Sequence, residues 1–192
     1  MRIIHSNHPT SSLLPVFDAP GDLDTARWGR QGGTYSDDAK ECYRWSYARR
    51  WSDGPLVAWI LLNPATGDSE GRARPTLKRM VDWSRANLGA GGIVIVNLFA
   101  WRATKPQDLV SAARCGTDVV GERNDEMIRI AAAMAAQTIA AWGADGRLQG
   151  RGDAVVAMLR GANLRCLDLT QRSKQPRHPL YVPAPWTLRP VK

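Results

Sequence analysis

"LVAWILLNPATGDSEGRARPTLKRM", Leu56 to Met80, decides how this chain folds. Leu56 to Leu62 is a continuous apolar run, as a strand covered on both faces requires. The run breaks at Asn63 and Pro64, passes through the small residues Ala65, Thr66 and Gly67, and recovers as a helix. Pro75 and Thr76 open that helix, with proline in its favoured first turn, and Gly89 stops it after Leu88. An Asn-Pro step is ordinary turn chemistry. It also fits a site that holds an amide side chain still at a strand's carboxyl end.

Working outward, "CYRWSYARRW" places bulky rings at Tyr43, Trp45 and Tyr47, which is strand periodicity. "GGIVIVNLFAW" holds a second buried strand, Ile93 to Asn97, whose β-branched run again halts at an asparagine. A helix follows from Asn124-Asp125 through Gln137, and "TIAAWG" is a third strand ending in Trp142-Gly143. "GRGDAVVAMLRGA" reads as another helix and Leu164 to Leu169 as a fourth strand. This alternation predicts an α/β fold, a three-layer sandwich around a four-stranded parallel sheet with helices on both faces. The 192 residues suit a single domain. Residues 1 to about 40 read as an irregular arm or lid, and the proline-rich tail after Leu169 as irregular chain.

Lys and Arg number 26 against 18 acidic residues, a net charge of +8, which suits a polyanionic partner such as DNA. Several of the eight tryptophans sit beside arginine, as in Arg44-Trp45 and Trp101-Arg102. Such pairs can stack bases and hold phosphates, but more often the ring is core and the arginine is rim. Cys42, Cys115 and Cys166 show neither zinc nor disulfide spacing. With no secretory signal in "MRIIHSNHPTSSLLP" and no membrane-spanning run, the expectation is a cytoplasmic protein that binds no metal or other cofactor.

In a parallel sheet, ligands bind beyond the carboxyl ends of the strands. Asn63, Asn97, Trp142-Gly143 and the tail's Arg177-His178-Pro179 are the polar features expected there. Each alone has a plainer reading: a turn, a cap, a core ring, an exposed histidine. Their order along the chain carries more weight than any one of them.

"LLNPATGD" resembles the first motif of the uracil-DNA glycosylase superfamily, "VIVNLFAWRAT" its middle strand, "IAAWG" its Leu-Leu-Trp-Gly strand and "RHPLYV" its His-Pro-Ser-Pro-Leu loop. The order agrees from Leu56 to Val182. More closely, the chain resembles an uncharacterised bacterial and phage family, the domain of unknown function 1643. That family is marked by Leu-Asn-Pro-Ser-Thr-Ala-Asp, Asn-Leu-Phe-Ala-x-Arg-Ala-Thr, Trp-Gly and Pro-Arg-His-Pro-Leu-Tyr. There are departures. Ala73-Arg74-Pro75-Thr76 stands where family members carry Asp-Asp-Pro-Thr, Leu180 stands where the superfamily loop has serine, and no bulky residue follows Asn63-Pro64 to exclude 5-substituents.

The resemblance implies a DNA glycosylase-like fold and a monofunctional enzyme that hydrolyses the N-glycosidic bond of a flipped base, leaving an abasic site. Asn63 would orient the water, with Asp68 as backup, and His178 would donate to the departing base. Asn97 would read the base edge in a pocket with Ala65, Thr66, Phe99 and Trp142. Arg72, Arg74, Arg102 and Arg177 would hold phosphates, and Leu180 or Tyr181 would fill the vacated stack. Small residues after Asn63 leave room for a bulky 5-substituted pyrimidine, such as glucosylated hydroxymethylcytosine in phage DNA. Two other classes stay open: a non-catalytic module for modified or single-stranded DNA, and a nucleotide or nucleoside hydrolase.

Overall fold

The computed structural model describes residues 30–38, 40, 42–65 and 75–191. They form a mixed α/β fold around one seven-stranded sheet, in the order β1-β2-β4-β3-β5-β6-β7. The strands are β1 (Arg30–Tyr35), β2 (Arg44–Arg50), β3 (Leu56–Leu61), β4 (Gly92–Asn97), β5 (Gln137–Ala140), β6 (Leu164–Cys166) and β7 (Arg189–Pro190). Among the described residues four α-helices accompany them: α1 (Pro75–Leu88), α2 (Pro106–Arg114), α3 (Asn124–Met134) and α4 (Arg151–Met158).

The expected four-stranded parallel sheet is corrected to this larger mixed one. Strands β4, β3, β5 and β6 do pair in parallel. Both flanks add antiparallel strands, β2 and β1 on one side and β7 on the other. The reason is local. "RQGGTY" lacks an apolar alternation of its own but pairs residue by residue with β2, and Arg189–Pro190 is too short to show a period. Arg30–Tyr35, expected within the irregular arm, is therefore strand; residues 1–29 of that expectation lie outside the described residues. The third helix stops at Met134 because Ala135 turns extended and Gln137 enters the ladder opposite Val57. The fourth strand closes at Cys166, after which Leu169 makes only an isolated bridge to Pro176. Helix α2 is an addition to the expected elements; Pro106 sits in its first turn, and the Asp108 carboxylate accepts the Lys105 N–H at 3.4 Å.

Side-chain alternation divides the core between the two faces. Val57, Trp59, Ile93, Ile95 and Ile139 pack with Met80 and Val81 of α1. Ala58, Ile60, Val94, Val96 and Ala140 pack with Leu109, Ile128, Ala131 and Val155 of the other helices. Trp186 from the tail joins the α1 face, its ring 6.3 Å from Trp59 and 6.0 Å from Trp83. None of the seven described tryptophans is exposed, so the core reading holds for their rings.

The parallel strands run, in chain order, second, first, third, fourth across the sheet. Helix α1 crosses over one face after β3, whereas α2, α3 and α4 occupy the other. The order therefore reverses between β3 and β5, and a crevice outside the carboxyl ends of those two strands is where such a sheet binds its ligands.

Candidate active site at the sheet's carboxyl edge

Asn63 lies two residues beyond the end of β3 and is half-buried. Its Nδ2 donates to the Ala103 carbonyl at 2.8 Å, and the Ala103 N–H donates to the Pro64 carbonyl at 3.0 Å. The amide is thus a bracket between two loops. With its donor half engaged, Oδ1 is the atom it offers to a ligand or water.

Asn97 ends β4 opposite Leu61 of β3 and is 1% exposed. Arg44 donates to its Oδ1 at 3.3 Å. An arginine can only donate, so the amide orientation is fixed and Nδ2 faces away from it. That Nδ2 is buried and has no hydrogen-bond partner among the described residues. Arg44 reaches this position because the β1–β2 register shifts between Thr34 and Tyr35. The bulge puts the Arg44 guanidinium over the Tyr47 ring, three residues away, which plain strand alternation forbids.

His178 arrives from the tail. Its Nδ1 accepts the N–H of Leu180 at 3.3 Å, capping a short 3-10 turn over Pro179–Tyr181. Accepting at Nδ1 places the proton of the neutral ring on Nε2, which has no partner among the described residues. Burial pushes the imidazole below its ordinary value of 6.5 and so favours this neutral form.

Trp142 and Gly143 set where the His178 segment runs. The Trp142 indole is 2% exposed and donates to Gln175 Oε1 at 2.7 Å, while Gln175 Nε2 donates to Asp153 at 3.0 Å. Gly143 donates its N–H to the Pro176 carbonyl at 2.7 Å and has φ +82°, a conformation only glycine adopts without strain at its ψ of −172°. A Cβ built there would lie 3.5 Å from the His178 Cβ, so the histidine packs against the segment just beyond β5.

Asn97, Asn63 and His178 therefore stand at the carboxyl ends of three adjacent parallel strands, spanning two strand spacings, on the order of 10 Å. Trp142 belongs to the opposite face with Val155 and Leu159, and Phe99 is fully buried in that same core. Neither ring lines the edge. Ala65 stays beside Asn63 and half-buried. Thr66, Asp68, Arg72 and Arg74 lie outside the described residues.

The chain matches, over residues 44–180, the family model described as Protein of unknown function (DUF1643). It belongs to that family. No curated protein and no solved structure matches it. The matched span opens with Arg44 and closes at Leu180, so it contains Asn63, Asn97, Trp142 and His178.

Of the expected phosphate ligands, Arg177 pairs with Asp168 at 3.5 Å and keeps a side chain 39% exposed. Arg102 stacks its guanidinium 5.1 Å over Tyr35. Leu180 and Tyr181 are 46% and 65% exposed, and Met134 is the third large apolar side chain so open to solvent among the described residues. Arg79 and Gln175 carry no signal in the sequence, and Arg44 shows there only as the neighbour of Trp45, because their roles come from partners dozens of residues away. Arg79 sits on α1 and donates to the carbonyls of Pro179, Leu180 and Val182. Among the described residues no helix is long and apolar enough to cross a membrane.

Proposed function

We propose that this protein is a monofunctional DNA glycosylase, with a uracil-DNA glycosylase-like fold, that acts in the cytoplasm on a flipped, modified base. The observation that carries the reading is a pair of uncommitted hydrogen-bond donors, Asn97 Nδ2 and His178 Nε2, at the carboxyl edge on either side of β3. Breaking an N-glycosidic bond leaves negative charge on the departing base and positive charge on the sugar. Donors preorganised in a site shielded from water stabilise that anion. Asn97 meets one acceptor on the base, and His178, neutral and with Nε2–H outward, meets another. Asn63 Oδ1 accepts from a water and turns it toward the anomeric carbon. An oxocarbenium-like centre needs such positioning more than a strong base.

Exposed Leu180 and Tyr181 would fill the space the flipped base leaves, and the +8 charge suits phosphate contacts by Arg72, Arg74, Arg102 and Arg177. Small Ala65 and Thr66 after Asn63-Pro64 favour a bulky 5-substituted pyrimidine, such as glucosylated hydroxymethylcytosine of phage DNA, over uracil. Trp142 is reassigned from base contact to support of the His178 segment, and Phe99 to the core.

A second reading is a non-catalytic module for modified DNA, favoured by one observation: the Asn63 donor already serves the Ala103 carbonyl. Mass spectrometry of bases released from a panel of natural and phage-modified DNAs separates the two. Release of a modified base from one of them supports the enzyme. Tight binding with no release from any supports the module.

A further inference from the structure

We propose that Arg79 is a positioning residue for the His178 loop, holding the imidazole in one tautomer and Leu180 and Tyr181 in one pose. Its role in catalysis rests on the glycosylase reading; the clamp itself does not. The guanidinium reaches across about a hundred residues of chain: Nη1 donates to the Pro179 carbonyl at 3.2 Å and the Leu180 carbonyl at 3.4 Å, and Nη2 to the Val182 carbonyl at 3.2 Å. Its flat face lies 4.7 Å over the Trp186 ring. Trp186 is itself fixed, its indole N–H donating to the Val182 carbonyl at 3.0 Å.

The clamped carbonyls belong to the same short turn whose Leu180 N–H holds His178 Nδ1. Fixing the carbonyls fixes the direction of that N–H, and the N–H dictates which ring nitrogen carries the proton. A three-residue turn has little stability of its own. Only a planar fork can serve three carbonyls and an aromatic face together. Arg79 stands on α1, the helix that follows β3 in the chain, so it also ties that helix to the tail.

The test uses the full chain labelled with 15N, as wild type, Arg79→Ala and Arg79→Lys, with fold followed by circular dichroism. Long-range imidazole spectra, assigned with His178→Gln, report the tautomer. Wild type should show a single Nε2–H form. Arg79→Ala should show mixed tautomers and exchange the Leu180 amide at least about tenfold faster. Single-turnover base release should fall about ten- to a hundredfold, with duplex affinity changed less than about threefold, as expected for a misplaced group. Arg79→Lys should lie between. A folded Arg79→Ala with an unchanged tautomer and unchanged amide exchange would overturn the proposal. If that variant does not fold, the same result in Arg79→Lys would overturn it. Wild type that releases no base would count against the enzyme reading alone, because the spectra still decide the clamp.

Discussion

The Asn63 side chain and the Ala103 carbonyl are joined at 2.8 Å, so the first asparagine of the site is a structural bracket as well as a ligand candidate. Its two atoms have separable consequences. Asn63→Ala should lower stability by about 0.5–1.5 kcal/mol through the lost bond. Asn63→Asp cannot donate to Ala103 but keeps an oxygen for a water. It should therefore lose at least as much stability and yet retain more base release than Asn63→Ala. Denaturant unfolding and single-turnover release, measured on both variants, check the ranking. Release that survives Asn63→Ala would move the water-holding role to Asp68.

The tautomer of His178 makes a pH prediction. Burial disfavours the charged ring, so the folded-state value lies below the ordinary 6.5. On acidification the unfolded chain takes up this proton first. His178 therefore contributes stability that is present above the ordinary histidine value and lost as pH falls through the lowered one. Protonation would also put an N–H on Nδ1, where it can no longer accept from Leu180. Base release should stay level through neutral pH and drop only below the usual histidine range. His178→Gln should remove the acid limb of both profiles, and a limb unchanged in that variant would assign it elsewhere.

Trp142 separates a pocket role from a supporting one. Trp142→Phe keeps the ring in the core but leaves buried Gln175 Oε1 without its donor, a loss of about 1–3 kcal/mol. Thermal unfolding should show the loss, and base release should fall in proportion for every base tested. A changed ranking among bases would restore Trp142 to the pocket.

Leu180 and Tyr181 are exposed, so replacing both with alanine should leave stability within about 0.5 kcal/mol. The same change should weaken the flipped complex and slow release from duplex more than from single-stranded DNA. Binding to unmodified duplex should fall steeply with salt; if several phosphates are neutralised, a fourfold rise should cost on the order of a hundredfold in affinity. Equal effects on both substrates, or a flat salt profile, would argue for a small-molecule hydrolase.

Much of the parallel centre was legible in the sequence. The runs Leu56 to Leu62 and Ile93 to Asn97 announce the buried strands observed at Leu56–Leu61 and Gly92–Asn97, and Pro75 and Gly89 bound the first helix. The flanking strands were not legible, because Arg30–Tyr35 takes its conformation from pairing with β2 and not from its own pattern. At the site, the strand-end asparagines and His178 could be placed from chain order alone. What they bond to could not. Arg44 reaches Asn97 only through a bulge, and Gln175 finds Trp142 only once the tail folds back. The face on which a residue lies also decided Phe99 and Trp142. Phe99 lies two positions past Asn97 and Trp142 two past the end of β5, and both turn into the core beneath α2, α3 and α4.

The most direct test is abasic-site formation, revealed by alkali cleavage, on DNA carrying glucosylated hydroxymethylcytosine, with uracil-containing and unmodified DNA alongside. Wild type, Asn63→Ala, His178→Ala and the double variant are compared under single-turnover conditions. As a glycosylase of this kind, the wild-type protein should form abasic sites on the modified DNA. Each single variant should fall by roughly a hundredfold to ten-thousandfold, the span expected for a lost positioned group. The double variant should be less impaired than the product of the two, since the groups act as a unit. Wild type that binds these DNAs but makes no abasic site on any of them, or release that survives both substitutions, would contradict the glycosylase reading.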